Sequence, residues 1–174
     1  KKHQYQLKVI KRQINNKPPH KVAINHCWGI DLTTVTINKQ QKLVLGIIDH
    51  GARLNLKLVE IQSKHSANIL LQITHAIRQF GFPRIIRTDN EACFNSRLLR
   101  LAFGLLGIKH QTTDIACPWQ NGRIERFFLT FKTKINQHLA ATACGCLQYE
   151  LDVFKLWYNQ TRPHQNLNGL TPKE

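Results

Sequence analysis

The chain has 174 residues and only ten acids, set against 25 lysines and arginines. Two of those acids stand where a carboxylate is expensive. Asp31 interrupts the strand-like run Gly29-Ile30-Asp31-Leu32-Thr33, and Asp89 ends the compact apolar segment that runs through Arg87-Thr88. An acid inside or at the tip of a buried strand needs compensation. Two carboxylates brought side by side by neighbouring strands repel unless a hard cation lies between them. The pattern therefore points to a Mg²⁺-type site. An Asp that merely caps a strand end is the plainer alternative.

A third acid, Glu125, lies in Asn121-Gly122-Arg123-Ile124-Glu125-Arg126-Phe127-Phe128. At about 100° per residue, Ile124, Phe128, Phe131 and Ile135 line one side of a helix and should face the sheet. Glu125, Lys132 and Asn136 share a face bordering that apolar side. Arg123, Arg126 and Lys134 are expected further round, towards solvent. A carboxylate at the rim of the core, with a lysine two turns on, suits a metal ligand beside a phosphate-binding cation. A solvated Glu flanked by arginines is the alternative. Asp49, Asp114, Glu150 and Asp152 read as ordinary surface or capping acids.

The elements that must hold these residues follow from periodicity. Residues 24–37, 42–49 and 54–61 read as three strands of an antiparallel meander, with turns at 38–41 and 50–53. Ile69, Ile73, Ala76, Ile77 and Phe80 then recur at helical spacing, and Gly81 with Pro83 ends that helix. Residues 84–88 form a buried strand, 95–106 a second helix closed by Gly107, and 109–113 a last strand. A loop at 114–121 precedes a long helix over 121–139 and another over 147–161. The order βββαβαβαα predicts a mixed α/β fold with helices covering a five-stranded sheet.

Composition bounds the partners. The formal net charge is +15 with 42% hydrophobic residues, an ordinary globular composition carrying a strong basic excess, which points to a polyanion and first to nucleic acid. No apolar run approaches the roughly 18–20 residues of a membrane span, and no apolar leader follows the basic start. Residues 1–20 are expected to form a basic arm that ends in Lys17-Pro18-Pro19-His20, with the folded domain over 21–174. The chain lacks Met even at position 1, which suggests a piece of a longer protein. The five cysteines (Cys27, Cys93, Cys117, Cys144 and Cys146) include no C-x-x-C. They suggest a reducing compartment and buried or half-buried thiols rather than a disulfide framework or zinc. No Ser, Cys and His residues form a nucleophile–base set.

Four motifs then occur in order: Trp28-Gly29-Ile30-Asp31-Leu32-Thr33, Arg87-Thr88-Asp89-Asn90, Pro118-Trp119-Gln120-Asn121-Gly122-Arg123-Ile124-Glu125-Arg126-Phe127, and Trp157-Tyr158-Asn159-Gln160-Thr161-Arg162-Pro163-His164 with Leu167 and Thr171-Pro172. Between Asp89 and Glu125 stand 35 residues. The chain resembles the catalytic core of the retroviral integrase and bacterial insertion-sequence transposase superfamily, whose members share an Asp, Asp, Glu triad. One departure is Glu91, where that family usually has Gly after Asp-Asn.

The resemblance implies an RNase H-like fold, a five-stranded mixed sheet with helices on both faces. It implies Asp31 and Asp89 on adjacent strands, Glu125 on the helix above, and two Mg²⁺ (Mn²⁺ as substitute) held about 3.5–4 Å apart. The implied reaction is cleavage at mobile-element ends and attack of the freed 3′-hydroxyl on target DNA. Lys132, Arg123, Arg126, Trp119 and Asn121 are the expected DNA contacts. A homo-oligomer, at least a dimer, and a cytoplasmic location at a bacterial nucleoid are expected, with no membrane partner. A hydrolytic nuclease and a non-catalytic DNA-binding domain are the competing classes; the triad argues against the second, and the 157–164 motif favours joining over plain hydrolysis. Arg162 and His164 are expected to be structural, and Trp157 and Tyr158 to be core.

Overall fold

The computed structural model describes residues 22–37, 39–113, 122–141 and 146–174. The expected basic arm and the 114–121 loop, with Trp119, Cys117 and Asn121, lie outside the described residues, as does Cys144. The chain forms β1 (Cys27–Ile37), β2 (Gln40–Asp49), β3 (Asn55–Ile61), α1 (Ser66–Phe80), β4 (Ile85–Thr88), α2 (Arg97–Leu105), β5 (Lys109–Thr112), α3 (Gly122–Ala141), α4 (Leu147–Gln160) and a 3₁₀ turn (Gln165–Leu167). The predicted order of elements is the observed one.

Boundaries move where a side chain caps the backbone. β1 starts at Cys27 rather than Ile24 because Asn25 turns the chain with φ 58°. Asn25 spends its amide on the Phe80 carbonyl (3.2 Å) and accepts from Trp28 Nε1 (2.8 Å). α2 starts two residues later than its apolar pattern suggests because Ser96 is the N-cap, its hydroxyl accepting from the Leu99 N–H at 3.2 Å. Gly81 ends α1 with φ 85°, a conformation that a side chain would strain.

The strand order is β3-β2-β1-β4-β5, antiparallel between β3, β2 and β1, and parallel from β1 through β4 to β5. Parallel neighbours require a crossover: α1 carries the chain from edge strand β3 to β4, beside β1, and α2 carries it on to β5. The first strand is thereby the central one.

Alternation along β1 separates two cores. Trp28 and Ile30 pack with Leu45, Ile47, Ile86 and the buried face of α1 and α2. Val35 and Ile37 pack with Val44, Leu58 and the aromatic faces of α3 and α4. Gly29 and Asp31 fall on this second face by the same alternation. The fold is a five-stranded mixed sheet with helices on both faces.

Candidate active site

Asp31 pairs across the sheet with Gly46 of β2. Its other neighbour is β4, where the parallel ladder matches Gly29 with Arg87. Carried two residues on, that register brings Asp31 level with Asp89, the first residue past β4, on the same face of the sheet. The β1–β4 pairing is thus what aligns the two strand acids.

Local hydrogen bonds hold both carboxylates. Asp31 Oδ1 accepts from the Leu32 N–H at 2.8 Å, and Asp89 Oδ1 accepts from the Glu91 N–H at 3.1 Å. These bonds favour the ionised forms, but burial wins at both sites. Asp31 is pushed up to about 7, first by burial and then by the fields of Asp89, Glu91 and Glu125. Asp89 is raised for the same first reason, with Glu91 adding to the rise and Lys64 opposing it. Two half-buried carboxylates, with Asp31 in the field of Asp89, form a site short of positive charge.

Glu125 reaches this neighbourhood from α3, in that helix's first turn, where a negative charge complements the helix dipole. α3 sits down on β2 at Gly46. A Cβ there would stand 2.7 Å from Phe128 Cζ and 3.3 Å from Phe127 Cε1, so the bare glycine opposite Asp31 is the seat of the helix that carries Glu125. Ile124, Phe128, Phe131 and Ile135 are buried against the sheet as the helical period requires, joined by Phe127. Glu125, Lys132 and Asn136 are exposed. Among the described residues, no three His, Cys, Asp or Glu side chains close into a ready cage for an ion. The donor set is nonetheless all oxygen, the chemistry that Mg²⁺ and Mn²⁺ take.

Several sequence expectations need correction. Arg123 does not reach for solvent: it is half-buried and donates Nη1 to the His50 carbonyl at 3.0 Å, tying the start of α3 to the end of β2. Lys134 leans back over the Trp157 ring, 5.1 Å from its centroid. Long cationic stems follow apolar surface, so a helical wheel misplaces them; Arg126 alone of the three is exposed. Glu150 is buried rather than at the surface, while Asp49, also buried, is a capping acid as expected. Asp49 caps its turn from the inside, accepting from Asn25 N and Gly51 N at 2.8 Å each. Cys146 is exposed. Cys27 Sγ lies 3.6 Å from His50 Nδ1, a pair the sequence did not suggest. Burial raises the thiol and lowers the imidazole to about 3, so both stay neutral and the pair is packing rather than a nucleophile.

Three comparisons bear on this geometry. The integrase core domain profile matches residues 106–172. The chain is 27% identical over 157 residues to an uncharacterized 31.7 kDa protein of insertion element IS407 from Burkholderia multivorans, covering 87% of this chain and 55% of that protein. It is 26% identical over 155 residues to an uncharacterized 39.2 kDa protein of insertion element IS476 from Xanthomonas euvesicatoria, covering 86% and 44% respectively. The fold matches the HTLV-2 integrase catalytic core domain, solved in complex with magnesium, with a TM-score of 0.75 at 22% identity over 88% of this chain and 97% of that one.

These likenesses support the integrase and transposase superfamily for this chain. Its sheet is the RNase H-like sheet of the retroviral integrase catalytic cores. The chain spans about half the length of the two insertion-element relatives. The closing motif packs against the aromatic core. Tyr158 is buried, the His164 ring meets it edge-on at 4.8 Å, and the Arg162 guanidinium lies 5.5 Å from its centroid. Trp157 packs at the margin of the same aromatic cluster. No helix among the described residues is long and apolar enough to cross a membrane. The residue that sequence reasoning missed is Lys64, from the β3–α1 connection. Its Nζ contacts Glu91 Oε2 at 3.0 Å, and no motif spacing signals it.

Proposed function

We propose that this chain is an integrase core that catalyses divalent-metal-dependent cleavage at the ends of a mobile DNA element and joins the freed 3′-hydroxyl to target DNA. The observation that carries the reading is the alignment of Asp31 with Asp89 across β1 and β4, together with the burial that lifts Asp31 to about 7. An acid held uphill in its charged form gains by holding a cation, and the oxygen donors of Asp31, Asp89 and Glu125 fit Mg²⁺ or Mn²⁺. Ions bound there would supply Lewis acidity at a phosphorus centre, polarising the attacking and leaving oxygens.

The protein's own part is to hold and orient. Gly46 and the aromatic seat of α3 set the height of Glu125 over the sheet. Lys132 and Arg126, both exposed on α3, bind backbone phosphates of the DNA end. Arg123, Trp119 and Asn121 are further DNA contacts in this reading. The basic excess steers the polyanion in. Joining two element ends calls for at least two copies of the chain.

A joining assay with a pre-cleaved element end tests the reaction. Strand-transfer product in Mg²⁺ or Mn²⁺ supports the reading. Cleavage of the substrate with no joined product would instead assign a hydrolytic nuclease. Binding of DNA without either product would assign a non-catalytic domain.

A further inference from the structure

Glu91 is the acid that the family pattern leaves without a role. Its backbone N–H is spent on Asp89 Oδ1, which locks residue 91 to a site carboxylate. Its side chain turns to Lys64, whose ammonium donates to Oε2 at 3.0 Å and Oε1 at 3.3 Å. Both side chains are partly exposed, 51% for Lys64 and 41% for Glu91, and such a pair contributes little to stability. Its position is less ordinary. Glu91 stands two residues from Asp89 and is hydrogen-bonded to its carboxylate, so the ammonium that Glu91 holds is tethered at the edge of the carboxylate site.

We propose that Lys64, anchored by Glu91, is a resident counter-cation of the carboxylate site and sets how strongly that site takes up divalent ions. The proposal rests on the reading of Asp31, Asp89 and Glu125 as ion ligands. Lys64→Met leaves the site one unit of charge more negative. Glu91→Gln leaves it one unit less negative and frees the ammonium beside Asp89. The double variant restores the original formal charge.

The test is calorimetric titration of the 174-residue chain with Mn²⁺ at pH 8 and low salt, with thermal unfolding of each variant as the check on folding. A unit charge several ångströms from the ion, partly screened by water, changes affinity by about three- to tenfold. Lys64→Met should tighten Mn²⁺ binding by that factor and Glu91→Gln should weaken it by a similar one. The double variant should return to within about twofold of wild type, and added salt should compress all the differences. Lys64→Gln repeats the charge change with a polar side chain. If both single variants lower thermal stability but leave Mn²⁺ affinity unmoved, the pair is structural and the proposal falls. It falls equally if Lys64→Met weakens binding, since Lys64 would then be presenting Glu91 as a ligand. Asp31→Asn separates this proposal from its premise. Loss of Mn²⁺ binding in that variant, with both charge variants unmoved, overturns only the counter-cation. Wild-type binding in Asp31→Asn, or no binding by wild type, overturns both.

Discussion

The two faces of the sheet solve different problems. Under α1 and α2 the core is mostly aliphatic, built on Ile30, Leu45, Ile47, Ile69, Ile73 and Ile86 around Trp28, Phe94 and Phe103. Under α3 and α4 it is aromatic: Phe127, Phe128, Phe131, Phe154 and Tyr158 meet edge to face or tilted at centroid distances of 5.0 to 6.3 Å. The first face has only to close the crossovers. The second must do so while leaving room beside Asp31 and Asp89. Large rings fill that space from the helix side and stop at Gly46, so the packing that stabilises the face also sets the height of Glu125. On the proposed function, stability and activity should be separable on one face and joined on the other.

The largest expected effect breaks the chemistry and leaves both cores intact. Asp31→Asn, Asp89→Asn or Glu125→Gln should each lower Mg²⁺- or Mn²⁺-dependent cleavage and joining by about a thousandfold or more, as loss of several kcal/mol of metal-assisted stabilisation implies. All three should fold, because the charge removed lies in a repulsive set. Near-normal rates in any one would remove that residue from the catalytic set.

Next comes the contrast between the faces. Ile73→Ala under α1 and Phe131→Ala under α3, both fully buried in the wild type, should cost about 2–5 kcal/mol of stability. Gly46→Ala forces a methyl against Phe128 and should cost about 1–3 kcal/mol. Denaturant unfolding measures these losses. Turnover of the folded fraction should hold in Ile73→Ala and fall in Phe131→Ala and Gly46→Ala. Equal turnover losses on the two faces would show that the aromatic seat does not position Glu125.

On the α3 face, two groups respond to pH in opposite directions. His50, under Arg123, is lowered to about 3, first by burial and then by Arg123, Arg87 and Arg53. An unfolded histidine titrates near pH ~6.5, so this group's contribution to stability is lost as pH falls below that value towards 3. Asp31 runs the other way. Its carboxyl titrates at about 7 in the fold and near pH ~3.9 in an unfolded chain. Its contribution is greatest below the unfolded value and is lost as pH rises through about 7. Asp31→Asn should therefore raise the melting temperature at pH 8 by about 5 °C and change it little near pH 4. His50→Gln should flatten the acid side of the melting profile. A melting profile for Asp31→Asn parallel to wild type from pH 4 to 8 would contradict the burial of that carboxylate.

The smallest effect belongs to the exposed rim. Lys132→Ala should remove about one phosphate contact and make the slope of log affinity for DNA against log salt shallower by about 0.9. Mn²⁺ binding should not change, because the exposed Lys132 lies two helical turns from Glu125. An unchanged salt slope would make Lys132 a solvated lysine.

Much of this protein was legible before any coordinates. Alternation in 27–37, helical spacing from Ile69 to Phe80 and the glycines at 81 and 107 are local signals, read within a turn or a strand, and they specify the elements and their order. The carboxylates at 31, 89 and 125 stood out because acids are scarce in this chain, one of them interrupts an apolar strand and another directly follows one. What only the tertiary structure decided is which distant groups meet. Arg123 binds a carbonyl 73 residues away, and the Asn159 amide binds both backbone groups of Asn55 across 104 residues. Lys64 finds Glu91 from the far side of α1, 27 residues before it. Such pairings depend on strand register, on where capped helices start, and on how long side chains lie along apolar surface. None of these repeats with a period, so no spacing in the sequence announces them. The strand acids become a candidate ion site only when β4 docks beside β1, a choice made by the crossover through α1.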